Sequence, residues 1–419
     1  MTDQERRGWI IVGAICVTMF FIWGAINSGA VFFVPVLKYF GWTRAKLSIA
    51  LSVGWVTGGL AGPLIGWIAD RVNPKRMMIV GATIVGLLWL ALSRATSFGE
   101  FFVVNGLFGI CVGASTTIPC SLIIASWFER RRGLAIGIAF AAAPIGGAVM
   151  TPIANHAIAI GGWRAGYVVL GLPILLLVVP LILFIVRPRN SAEKSGVSGP
   201  ASAETRAAAA AIQVPGFELG QAAQTRSFWL ICGVQLLLGS TLGMGPHYVA
   251  YLTGVGYSAA FAASMVSMYL IMTTLGALFG GPFADRVSAR GAMIATCVLG
   301  ALGAIGLMGA SLPLGLALNI IAGGFALGAL GVQMPLVIIE SLGVKRLGSL
   351  LGVTGVCFTA GAAASPIVTG RIFDLTGSYE IAIAAIIALM VLAAITLVGC
   401  RPLAGEEAQF ATPAPSAAA

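Results

Sequence analysis

Few side chains in this sequence could do chemistry inside an apolar setting, and one stands apart. His247 is the only His, Asp, Glu, Lys or Arg placed well inside a long apolar run. Imidazole titrates near neutral pH, so a buried histidine can take up and release a proton. The same ring can equally sit neutral and hydrogen-bonded, packed near Tyr248 and Tyr251. Glu340 and Lys38 stand only at the ends of such runs. Neutral polar groups occur in mid-run: Asn27, Ser115, Thr116, Thr117, Tyr248, Tyr269, Thr273 and Gln333. A few placed donors among apolar walls can hold a small ligand. The seven cysteines show no metal-ligand spacing and read as small packing residues. No metal and no cofactor are expected. A membrane enzyme would need clustered acids, His or Cys at one face, and no such cluster is visible. The Gly-rich Lys motif of nucleotide-driven machines is also absent.

The elements that must position these groups follow from composition. The chain is 58% hydrophobic and 9% charged, with a mean hydropathy of +0.99. Soluble domains carry about 25% charged residues. Uncharged stretches of about 20 residues, enough to cross the bilayer as helix, recur along nearly the whole length. The alternating segments of a membrane barrel are absent. An all-α membrane protein is expected, and its excess of positive charge belongs to loops rather than to a nucleic-acid partner. The first run is too long for a signal-peptide core and ends without a cleavage site, so it reads as a retained span.

Charges, Gly/Pro breaks and turn residues divide the chain into twelve spans. Their approximate limits are 9–37, 44–69, 77–93, 98–125, 133–158, 163–186, 227–253, 259–284, 291–310, 313–339, 347–370 and 379–400. An even count puts both termini on one side, and 18 of the 24 Lys and Arg residues fall on that side. The positive-inside rule therefore places the termini in the cytoplasm. Residues 187–226 are rich in Ala, Ser, Gly and Pro and read as a flexible linker with a short surface helix. The expected layout is a six-helix bundle over 1–186, the linker, a second six-helix bundle over 227–400, and a disordered cytoplasmic tail over 401–419.

The two halves echo each other at a lag of 215 residues. Gly66-Trp-Ile-Ala-Asp70-Arg71-Val72 matches Gly281-Pro-Phe-Ala-Asp285-Arg286-Val287. Gly133, Gly137 and Gly146 match Gly348, Gly352 and Gly361. Parallel six-helix repeats are a transporter architecture, with the substrate site between them near the midplane. Small residues one turn apart (Gly133 with Gly137, and Ala135, Ala139 and Ala143) allow close helix packing in lipid. Beside the charge cluster Glu129–Arg132, that seam suits an element that rocks.

The stretch GWIADRVNPKR, from Gly66 to Arg76, resembles the loop motif of the major facilitator superfamily. The second copy, GPFADRVSAR, resembles a degenerate partner. The resemblance implies a gate in which Gly66 permits close approach, while Asp70, Arg71 and Arg76, with Asp285 and Arg286, pair across the cytoplasmic ends. Trp127-Phe128-Glu129-Arg130-Arg131-Arg132-Gly133-Leu134-Ala135-Ile136-Gly137-Ile138-Ala139 resembles the span-five motif of the monocarboxylate porter family, and adds Arg130 and Arg131 to the gate. Ala142 stands where that motif has Gly, and only Gly8-Trp9 remains of the family's span-one motif. Matching Val31-Phe32-Phe33 puts Asn27 where animal relatives carry the substrate-pairing Lys. Span eight has no Arg or acid before Asp285.

Superfamily cavities are lined mainly by spans one, four, seven and ten. The resemblance therefore implies a substrate site among Asn27, Thr116, Thr117, His247, Tyr248 and Gln333, with Tyr269, Cys357 and Phe358 from spans eight and eleven. His247 is the expected proton-coupling residue. Pro119, Pro144, Pro152, Pro246, Pro335 and Pro366 interrupt spans and free carbonyls near the cavity. The expected function is secondary transport of a small organic acid such as a monocarboxylate, with proton symport, by a monomer in a cell membrane. The alternative is an exporter of a neutral or drug-like solute, which the missing carboxylate-pairing residues favour.

Overall fold

A computed structural model describes residues 3–42, 44–128, 131–189 and 216–407. Arg130, the middle of the linker and the end of the tail lie outside them. The described residues are helical, apart from turns and one isolated antiparallel bridge between Gly216 and Gly343.

Among the described residues, eleven helices are long and apolar enough to cross a membrane. One of them, Arg132–Phe184, runs for 53 residues and contains two spans. Gly162 (φ 72°, ψ 177°) divides it, in a conformation that glycine adopts without steric cost. Spans five and six therefore meet at a single-residue turn, which brings the total to twelve. The remaining spans are Arg44–Ala69, Pro74–Arg94, Ala259–Arg286, Ala289–Met308, Leu347–Thr376 and Glu380–Val398, with four that are interrupted.

The interruptions of spans four, seven and ten each have a local cause or a polar tenant. Span one is helical over Asp3–Asn27, tightens into a 3-10 turn at Ser28–Phe32 and continues to Phe40. Span four breaks between Phe98–Ser115 and Thr117–Trp127, where Thr116 adopts φ −121°, ψ −104°. Pro119 explains the site of the break, because a proline ring clashes with the carbonyl four residues earlier, here Ser115. Span seven runs Arg226–Ser240, then a 3-10 turn Thr241–Met244, then Tyr248–Val255, with Pro246 in the gap. Span ten contains a π-helical turn, Asn319–Gly323, and Asn319 uses it to reach other helices.

The exterior is apolar: Leu60 is 70% exposed and Leu314 80%. Water would penalise such a surface and lipid would not. Helices instead pack through small residues. In the first half, a Cβ on Gly24 would lie 2.8 Å from the Gly146 backbone. The corresponding pair in the second half is Gly239 against span eleven and Gly361 against span seven. The repeat thus holds in three dimensions: spans one and five pack as spans seven and eleven do. Lys75 Nζ donates to Leu183 O at 2.7 Å and caps span six, while its counterpart Arg290 donates to Cys400 O beyond span twelve. Between the halves, the principal seams are span two on span eleven and span five on span eight.

Candidate functional site

Both seams are tightest on the face that carries the chain ends, here called the terminal face. Asp70 ends span two there. Its Oδ1 accepts from Gly348 N at 2.8 Å, and its Oδ2 from Ser349 N at 2.8 Å and Ser349 Oγ at 2.5 Å. Asp285 ends span eight and accepts from Gly133 N at 2.9 Å and Leu134 N at 3.0 Å. Each carboxylate therefore closes on the first turn of a helix in the other half. The first amides of a helix lack intrahelical partners and carry partial positive charge, so an anion there is stabilised by hydrogen bonds and by the helix dipole.

Close backbone approach makes the two latches possible. Gly66 lies directly on the Gly348 carbonyl, and Gly133 and Gly281 lie on each other's carbonyls. Any side chain at these positions would push the carboxylate out of reach. The residues before the helices match as well: Arg346 (φ −130°, ψ 42°) and Arg131 (φ −121°, ψ 32°) share one backbone geometry.

Of the cations expected to pair across this gate, Arg130 lies outside the described residues, and the other four have no ion pair with Asp70 or Asp285 among the described residues. Arg71 stacks on Trp67, 3.9 Å from the ring centroid, on the surface of its own span. Arg76, Arg131 and Arg286 are exposed. The acceptors meet main-chain amides instead. Arg132 caps the end of span four through Phe128 O at 2.6 Å, which shows one use of the charge cluster beside span five. Arg346 has a partner that sequence reasoning missed. Its Nε lies 2.6 Å from Glu218 Oε2, with Lys345 Nζ 3.5 Å from Oε1. Glu218 belongs to the end of the linker, which bonds Phe217 N to Leu342 O at 3.1 Å and forms the short helix Leu219–Ala222. The hydrogen bond from Arg346 holds the Glu218 carboxyl below the usual carboxylate range. Glu218 in turn raises Arg346, and the charge of Asp70 adds to the effect.

The expected substrate residues fall in three places. His247, Tyr248 and Tyr269 lie together in the second half, towards the distal face. His247 Nε2 is 3.2 Å from Pro366 O, and Nδ1 is 3.3 Å from Tyr379 Oη. Tyr248 Oη donates to Asn319 Oδ1 at 2.7 Å, and Asn319 Nδ2 donates to Gly303 O at 3.0 Å. The Tyr269 ring is 6.0 Å from that of Tyr248. Asn27 is exposed on the first half, beside Gly147 of span five. Gln333 is 0% exposed and lies nearer the terminal face, where its Nε2 donates to Gly280 O at 3.2 Å. Its Oε1 has no hydrogen-bond partner among the described residues. Thr116 is buried with its hydroxyl on Val112 O at 2.7 Å, and Thr117 is half-buried. Cys357 and Phe358 are half-buried on span eleven. Asn319 and Tyr379, which complete the histidine–tyrosine group, stand near span ends in the sequence and gave no signal there. Among the described residues, no three His, Cys, Asp or Glu side chains meet in a metal-binding group.

Comparison with known proteins agrees with the fold. The family model of the Major Facilitator Superfamily matches residues 14–264 and 231–417. The chain belongs to that superfamily. It is 26% identical to monocarboxylate transporter 13 of Bos taurus over 383 residues, covering 89% of this chain and 84% of that protein. It is 24% identical to the probable sulfoacetate transporter SauU of Cupriavidus necator over 407 residues, covering 91% of each. Among solved structures, the transporter FucP in its outward conformation superposes with a TM-score of 0.70 at 15% identity, covering 93% of this chain and 99% of that one.

Proposed function

We propose that this protein is a secondary transporter that carries a small organic acid, most simply a monocarboxylate, by alternating access. The observation that carries the reading is the pair of latches: one face is bonded shut between the halves by Asp70 and Asp285. Breaking both latches and parting the two seams exposes the same interior to the other side. The superfamily relatives whose names specify a monocarboxylate and sulfoacetate support an acidic substrate. The excess of Lys and Arg supports a cytoplasmic terminal face; a cell membrane and a monomeric working unit complete the proposal.

Proton symport through His247 belongs to the same proposal. In the neutral ring, Nε2–H donates to Pro366 O and Nδ1 accepts from the Tyr379 hydroxyl. Protonation makes Nδ1 a donor, and the hydroxyl then turns to accept. The ring gains its proton without losing either partner. Asn27, Tyr269 and the neighbouring donors would hold the carboxylate without a fixed positive charge. A second reading, a neutral or drug-like solute moved outward, is favoured by one observation: Asn27 stands where animal relatives carry the substrate-pairing Lys, and span eight has no Arg or acid before Asp285.

Uptake of labelled lactate, pyruvate, glycolate and a branched 2-oxo acid into proteoliposomes, with and without an inward proton gradient, separates the two. Gradient-accelerated uptake that His247→Ala uncouples is expected. No uptake of any acid by folded protein rules the acid reading out in favour of the second.

A further inference from the structure

The seam between spans two and eleven is sealed only over its terminal half. There Gly66 meets Gly348, Gly62 meets Gly352 and Gly59 meets Thr359. At ~100° per residue these three glycines occupy an arc of about 60° on span two. One turn further towards the distal face, the residue inside that arc is Trp55. It is 63% exposed. The lipid-facing side chains of span two, Leu60 and Leu64, lie on a different arc, ~100° or more away. Trp55 thus lies on the line of the seam, at a level where span eleven leaves the side chain largely uncovered. Its ring neighbour among the described residues is Trp23 of span one, with centroids 6.4 Å apart.

Span eleven continues the same line with small residues. The arc holding Gly348, Gly352 and Thr359 next passes through Ala363, Pro366 and Gly370. Ala363 is exposed. The track ends against His247, which bonds the Pro366 carbonyl at 3.2 Å and would lie 3.6 Å from a Cβ on Gly370, so the imidazole already covers the side-chain face of Gly370. A large flat side chain therefore faces a shallow track of small residues, across a gap that continues an established interface.

We infer that Trp55 closes the distal gate. When the terminal latches release and the distal ends come together, its indole beds on Ala363 and Pro366. Burying an indole that is now mostly exposed contributes to the closed distal state and offsets part of the loss of the two carboxylate latches. Trp55 is a positioning residue for transport. The contact also brings the closing element against the backbone that His247 holds, so distal closure and the state of that imidazole act on one another.

The test is disulfide formation between Trp55→Cys and Ala363→Cys, in full-length protein whose native cysteines are replaced by serine, in liposomes. With intact latches, the cross-link should form slowly. In the Asp70→Asn/Asp285→Asn background the yield should rise by on the order of threefold or more, as the population shifts. Gly352→Leu, which wedges the terminal seam open, replaces that background if it does not fold. Unchanged yield in a folded, latch-weakened protein overturns the inference. A second readout is transport: Ala363→Leu fills the track and should slow turnover with little change in KM, whereas Ala364→Leu, outside the arc, should not. Equal effects of the two leucines also overturn it. The cross-link needs no substrate, so its outcome is independent of which solute the protein carries.

Discussion

The two latches on the terminal face are copies of one device, yet they are unequal. Both set an aspartate at the end of one helix against the first turn of another, and Arg131 and Arg346 share one backbone geometry before those turns. The Asp70 latch has three hydrogen bonds, one from a side chain. The Asp285 latch has two, both from the main chain. The difference lies at one position of the repeat, where Ser349 corresponds to Leu134. A second asymmetry is added from outside the repeat, because the linker gives Glu218 to Arg346. Duplication therefore fixes the helix ends and their amides, while single side chains and the unrepeated linker set how strongly each half holds.

The largest expected effect is that of Asp70→Asn. Removing the charge from three donors and a helix end should cost on the order of 2 kcal/mol, a shift of roughly thirtyfold towards the state open on the terminal face. Solvent accessibility of labels placed along that seam measures it. Asp285→Asn should act in the same direction but less, by about 1 kcal/mol, because it loses fewer bonds at a more exposed site. Equal effects would break the comparison. Ser349→Ala removes the bond that distinguishes the latches, at a cost of about 1 kcal/mol or less, and should bring the Asp70 latch down to the level of the other.

Glu218→Gln should have the smallest effect. Its ion pairs are solvent-exposed, so they contribute little and weaken in salt. The sign of their pH dependence is fixed. Glu218 is depressed in the folded state, so its contribution is present above the ordinary carboxylate range and is lost as pH falls through the depressed value. An accessibility titration should show this shift in the native chain and not in Glu218→Gln.

Much of the architecture was legible because lipid imposes it. Long uncharged runs defined the spans, and the break predicted between spans five and six coincides with the turn at Gly162. Asp70 and Asp285 were legible as a repeated motif. Their partners were not, because a main-chain amide carries no side-chain signature and the bonds join residues 278 and 279 positions apart for Asp70, and 152 and 151 for Asp285. The expectation of arginine partners failed on local geometry: Arg71 stands one turn from Trp67, and the aromatic face holds it on its own helix. Gln333 was expected with the substrate donors but is buried between spans eight and ten. In a helix that is apolar all round, periodicity does not say which side faces a cavity. Glu218 lay in a stretch whose composition reads as flexible, yet residues 216–226 are tied down by the Phe217–Leu342 bond and the cation pair beyond it.

The most direct test uses two pairs of spin labels, one across the terminal seam and one across the distal seam, in the native chain and in Asp70→Asn/Asp285→Asn. The account predicts that weakening the latches lengthens the terminal distance and shortens the distal one in the same molecules. Distances that stay fixed, or that change in the same direction, would contradict alternating access governed by these two carboxylates.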